Sequence, residues 1–120
     1  MPQLSNRSNC NIPNVSAGGQ GTYYFSYYWN KWVWIGQEVY SVSSRFMVTT
    51  TDNIEGPWEQ PVFFYQGHDG TYELGAYTLQ AHPGLSASGY ADSNAIFISY
   101  TKSDTEAQIY STPLVRIIWN

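Results

Sequence analysis

Residues 45–65 read RFMVTTTDNIEGPWEQPVFFY, and residues 97–117 read FISYTKSDTEAQIYSTPLVRI. Laid over one another without a gap, the two stretches share one pattern at an offset of 52 positions. Phe46 falls on Ile98, Val48 on Tyr100, Thr49 on Thr101, Asp52 on Asp104, Trp58 on Tyr110, Pro61 on Pro113 and Val62 on Leu114. A fixed period of this size with strand-like content is the mark of β-propeller blades, each a small sheet that stacks on its neighbours. RFMV and AIFI are nearly continuous apolar runs, as strands buried on both faces require.

Working outward from the repeat gives the rest of the organisation. Residues 1–21 are rich in Asn, Ser and Gly and lack periodicity, which predicts an extended or flexible tail with Leu4, Ile12 and Val15 as possible anchors. Residues 22–70 read as a first blade, with strands over 22–28, 32–42 (broken near Gly36), 45–51 and 59–65. Residues 71–120 read as a second blade, with strands over 71–79, 95–101 and 112–119 and a loop over 80–94. Pro61 belongs at a strand start or on an edge, where its missing N–H does no harm. The expected fold is all-β: two four-stranded antiparallel blades, an incomplete ring in one chain.

Composition supports this and excludes several functions. Aromatic residues make up 18% of 120 residues and charged residues only 12%, so strand formers outweigh helix formers. Net charge is −4 with five scattered Lys and Arg, which argues against nucleic acid or an anionic membrane as partner. Cys10 is the single cysteine, so an internal disulfide and a thiolate zinc cluster are excluded. The first 22 residues lack the regions of a signal peptide, so a secreted protein would be met here as a mature form or a piece of a longer chain. Two sequons, Asn6-Arg7-Ser8 and Asn14-Val15-Ser16, point weakly to secretion.

The string RFMVTTTDNIEGPW, then YTLQAHPGL, then AIFISYT and the terminal PLVRIIW resembles the last part of five-bladed propellers of the arabinanase-like, glycoside hydrolase-like kind. Its most specific pieces are Gly56-Pro57-Trp58 and Ala81-His82-Pro83, and it spans about residues 22–120. The resemblance implies a carbohydrate-active, extracellular fold with a sugar site where strand ends converge. With two blades where that family has five, it implies further blades from the same or another chain and does not bring a complete active site.

The candidate carbohydrate-binding residues are Trp29, Trp32, Trp34, Glu38, Glu73, Tyr77 and His82. Trp29, Trp32 and Trp34, with Tyr27 and Tyr28, form the densest aromatic cluster, and sugar C–H faces stack on such rings. Glu38 is expected within the aromatic strand over 32–42, and Glu73 on the first strand of the second blade, where first strands line the channel of a propeller. Hydrolysis needs two carboxylates across one bond, and no catalytic pair is assigned. His82 follows a predicted inner strand; the resemblance implies a histidine near the axis that binds an ion or polarises a substrate, and the alternative is a buried histidine that bonds backbone between blades. Asp52 and Asp104 read as turn residues that bind nearby backbone N–H groups. Trp58 and Tyr110, as repeat mates, read as core. No cofactor or metal is specified.

Three functions fit: a carbohydrate-binding module of a larger propeller, a two-blade lectin that closes a ring as a homotrimer, and a self-assembling extracellular structural protein.

Overall fold

The computed structural model describes residues 12–85 and 94–120. Leu4, the Asn6 sequon, Cys10 and residues 86–93 of the predicted loop lie outside them. The first sheet contains β1 (Gly18–Ser26), β2 (Lys31–Glu38), β3 (Arg45–Thr51) and β4 (Val62–Gln66), in that spatial order and antiparallel throughout. The second contains β5 (Tyr77–His82), β6 (Ala95–Asp104), β7 (Ile109–Ser111) and β8 (Leu114–Ile118). The fold is all-β, with two four-stranded antiparallel sheets that do not close a ring.

The repeat survives where it was strongest. β3 and the central part of β6, and β4 and β8, are offset mates, and Pro61 and Pro113 each precede their strand. β7 and β8 are two pieces of one arm. Lys102 pairs with Ser111 and Ala95 with Ile118 in a single register along β6, broken at Thr112–Pro113. A proline cannot donate to the ladder, so the arm is interrupted there.

The offset of 52 fails for the preceding strand. Ala81 pairs with Ile98, and Gln37 pairs with Phe46, the offset mate of Ile98. Ala81 therefore answers to Gln37 and His82 to Glu38, a spacing of 44. Trp29 against Ala81 and Asn30 against His82 are not structural equivalents, and β5 corresponds to β2 rather than to a first strand.

Three further expectations are corrected. β2 is not broken at Gly36, because Gly21 and Gly36 pair in register and leave room for the Trp34 indole. A Cβ on Gly21 would lie 2.5 Å from Trp34 Nε1, and one on Gly36 2.6 Å from Trp34 Cζ2. β1 begins at Gly18, inside the segment read as tail. Residues 71–75 form a loop rather than a strand. Thr71 N–H donates to Asp104 Oδ1 (3.2 Å), Tyr72 N–H to the Ser103 carbonyl (3.2 Å) and Gly70 N–H to the Gly75 carbonyl (2.8 Å). These bonds close the segment on itself and on the end of β6.

The two sheets pack face to face. Tyr24, Val33, Ile35, Phe46 and Val48 alternate onto the inner face of the first sheet and meet Ala76, Leu79, Ala81, Ile96, Ile98 and Tyr100. β5 is an edge strand, and side chains of β1 satisfy its free N–H groups. Gln20 Oε1 accepts from Thr78 N–H (2.9 Å), and Thr22 Oγ1 accepts from Ala81 N–H (3.1 Å). On the outer face of the first sheet, Trp34, Met47 and Trp58 form a second cluster, covered in part by Val15 and Ala17 of the segment before β1. Trp58 donates its indole N–H to the Ile54 carbonyl (3.0 Å). Its repeat mate Tyr110 is not core: it is 71% exposed. No counterpart of segment 12–17 covers Tyr110 among the described residues.

Asp69 clamps the connection between the sheets. Its Oδ1 accepts from Ser44 N–H (2.6 Å), the Ser44 hydroxyl (2.6 Å) and the Ser43 hydroxyl (3.4 Å). Partial burial, the largest single effect, raises the carboxyl pKa, but the bonds from Ser44 and Ser43 together outweigh it and leave it below its ordinary value. The folded state therefore favours the carboxylate. That contribution is present above the unfolded pKa of about 3.9 and is lost as pH falls through the folded value. Urea unfolding should show Asp69→Asn less stable than the native chain at neutral pH, with the gap narrowing below about pH 4. A gap independent of pH would show that the carboxylate charge does no stabilising there.

Candidate functional site

The aromatic cluster gathers at the end of the first sheet where β1 turns into β2. Ser26 pairs with Lys31, which leaves Tyr27, Tyr28, Trp29 and Asn30 as the connecting loop. Asn30 takes the left-handed conformation (φ 54°), and Ser26 Oγ accepts from Trp29 N–H (3.2 Å). Asn tolerates that conformation better than most residues, so the loop reverses tightly and projects its rings. Tyr27 and Tyr28 are 60% and 46% exposed.

Trp29, Lys31 and Thr50 line an open cleft of about 300 Å³. One side of Trp29 rests on Trp119, with ring centroids 4.5 Å apart and planes tilted by 38°. Trp119 also meets Phe64 at 5.3 Å, so the end of the second sheet supports the cleft wall. Lys31 Nζ lies 3.1 Å from Asp52 Oδ1. Asp52 is thus held by a cross-strand lysine, not by backbone N–H groups of its turn. Asp104 does bind a backbone N–H, but that of distant Thr71. Trp119, Lys31, Thr50 and the pairing of Asp52 with Lys31 have no motif in the sequence that marks them. The one available signal was their place beside the strand ends that frame the aromatic loop.

The other predicted site residues are dispersed. Trp34 is 1% exposed, so it is packing and not an accessible surface, a correction forced by the glycine pair beneath its ring. Trp32 is half-buried, packs on the outer cluster and meets Phe25 edge-on at 5.3 Å. Glu38 lies at the opposite end of β2, in a polar cleft of about 250 Å³ shared with Asn14, Ser16 and Gln60, and 4.0 Å from Arg45. Glu73 is exposed in the loop before β5. It is therefore not on an inner strand, because that segment is a loop. Tyr77 is half-buried at the start of β5 beside Tyr110, and desolvation together with that neighbour raises its phenol pKa.

His82 ends β5, and its Nε2 lies 2.6 Å from Ser99 Oγ, with the donor set by the tautomer. Among the described residues, this side chain is its hydrogen-bond partner. β1 and β5 run side by side in one direction, as the Gln20–Thr78 and Thr22–Ala81 bonds show. His82 therefore lies towards the Trp29 end. Glu38, Glu73 and Tyr77 lie towards the other end, where Gln37 Nε2 donates to the Ala76 carbonyl (3.2 Å). Among the described residues, no three His, Cys, Asp or Glu side chains cluster to hold a metal ion.

The Trp29 cleft offers an aromatic ring, the Lys31 side chain and the Thr50 hydroxyl, with Asp52 paired to that lysine, on a weakly charged surface. That arrangement suits a ligand with apolar C–H faces and several hydroxyl groups. Comparison with protein-family models, with curated proteins and with solved structures gives no match for this chain.

Proposed function

We propose that the chain is a carbohydrate-binding module of an extracellular, glycoside hydrolase-like propeller, and that it binds sugar at the Trp29 cleft. The observation that carries this reading is the cleft of Trp29, Lys31 and Thr50, with exposed Tyr27 and Tyr28 on the same loop. A ring for stacking beside fixed donors and acceptors is how small polar ligands are oriented. The arabinanase-like resemblance adds the ligand class. Binding rather than hydrolysis is proposed, because Asp52 is engaged with Lys31 and Glu38 and Glu73 stand apart from the cleft. The test is calorimetric and tryptophan-fluorescence titration with soluble arabinan, xylan and galactan oligosaccharides. Saturable binding at millimolar or tighter affinity is expected. No heat and no fluorescence change with any of them up to about 10 mM would overturn the proposal.

The partner proposed is further propeller blades, from the same or another chain. A homotrimeric lectin ring needs both outer faces free for neighbours, whereas segment 12–17 and Trp58 lie on the outer face of the first sheet. The second sheet leaves Leu114 and Ile118 about half exposed, which favours blades added on that side. The native mass discriminates. Three identical chains would favour the lectin, a requirement for a different chain the module, and large particles or filaments the structural protein.

A further inference from the structure

We infer that the Trp29 cleft selects uncharged sugars over uronic acids and other anionic glycans, and that Asp52 is the residue that sets this preference. The inference rests on the carbohydrate reading above and deepens it. Among the described residues Lys31 is the cation that lines the cleft, and alone it would attract a sugar carboxylate. It is not alone: Asp52 Oδ1 sits 3.1 Å from its Nζ, so a carboxylate already stands against the ammonium and offsets part of its field. An anionic sugar reaching Lys31 must approach Asp52, and like charges repel. The net charge of −4 adds to this.

A neutral sugar meets the opposite situation. An ammonium has three N–H donors and Asp52 occupies one, while a carboxylate has several acceptor positions. The pair therefore offers donors and acceptors side by side, which matches adjacent hydroxyl groups on one ring. Trp119 takes one side of Trp29, so stacking is confined to the part of the indole that lines the cleft. The Asp52 side chain is 78% exposed and the Lys31 side chain 36%, so both are reachable from solvent.

The experiment compares neutral arabino- and xylo-oligosaccharides with oligogalacturonate. The proteins are the native chain, Asp52→Asn, and the double variant Asp52→Asn with Lys31→Gln, titrated at low and high salt. Circular dichroism and the unfolding midpoint verify the fold. The native chain should bind neutral sugars at least about tenfold more tightly, with little dependence on salt. Asp52→Asn should gain about tenfold for oligogalacturonate, and salt should abolish the gain. The double variant should lose the gain, which ties it to the released ammonium. Equal native affinity for both classes, or no gain in Asp52→Asn, overturns the inference while leaving the carbohydrate reading intact. Absence of binding to any sugar overturns both. If Asp52→Asn does not fold, the native comparison still decides, since salt-sensitive preference for oligogalacturonate would sink the inference by itself.

Discussion

Phe46→Ala should be the most damaging single substitution in the core. Phe46 is fully buried in β3, an interior strand of the first sheet. Its ring lies 6.1 Å from Phe64, 6.0 Å from Tyr65 and 6.0 Å from Tyr100, so it touches an edge strand of its own sheet and the central strand of the other. Removing it costs the transfer energy of the ring and leaves a cavity that β-sheet backbone on both sides cannot collapse into. The expected loss is about 3–5 kcal/mol, set against a total of about 5–15 kcal/mol for a domain. The melting midpoint should fall by roughly 15 °C. Phe46→Leu, which keeps most of the volume, should cost under about 1.5 kcal/mol. Chemical denaturation of both variants measures this. A loss under about 1 kcal/mol in Phe46→Ala would mean that the sheets do not share one cooperative core.

The second large effect is expected on ligand binding. Trp29→Ala removes the stacking face from the proposed cleft and leaves Lys31 and Asp52 in place. An anchoring aromatic at a binding site costs about 2 kcal/mol or more when truncated, which is about a 30-fold weaker affinity. Trp29→Phe should recover part of the loss, because a smaller ring still offers a face. Because Trp29 also rests on Trp119, some stability should be lost as well. Comparing the midpoint shifts of Trp29→Ala and Trp119→Ala separates packing from recognition. Unchanged affinity for arabino-oligosaccharides in Trp29→Ala would show that sugar, if bound, is bound elsewhere.

Much of the architecture was legible because it rests on local rules. The apolar runs at 45–48 and 95–98, the turn at Asp52–Gly56 and the prolines before β4 and β8 each declare themselves through propensity and missing donors. What was not legible depended on partners distant in the chain. Residues 71–75 carry strand-like Thr and Tyr, yet bonds to Ser103 and Asp104 hold them in a loop. Gly36 looks like a break until the Trp34 ring is placed over it and over Gly21. At β5 the second copy is spaced by 44 rather than 52, because register is set by hydrogen-bonded pairing and not by position in the chain.

The candidate site divides along the same line. The sequence by itself determined an all-β chain with two repeated sheets and an aromatic-rich loop around residues 27–29, since composition and periodicity act locally. Only the tertiary structure decided which aromatic rings reach solvent. Trp29 and Trp34 are equally apolar and five positions apart, yet one lines a cleft and the other is sealed. Trp34 lies within β2, over two glycines and under segment 12–17, whereas Trp29 sits in the loop with one side on Trp119. Exposure is a property of what packs on a residue. For both rings, the deciding groups come from elsewhere in the chain.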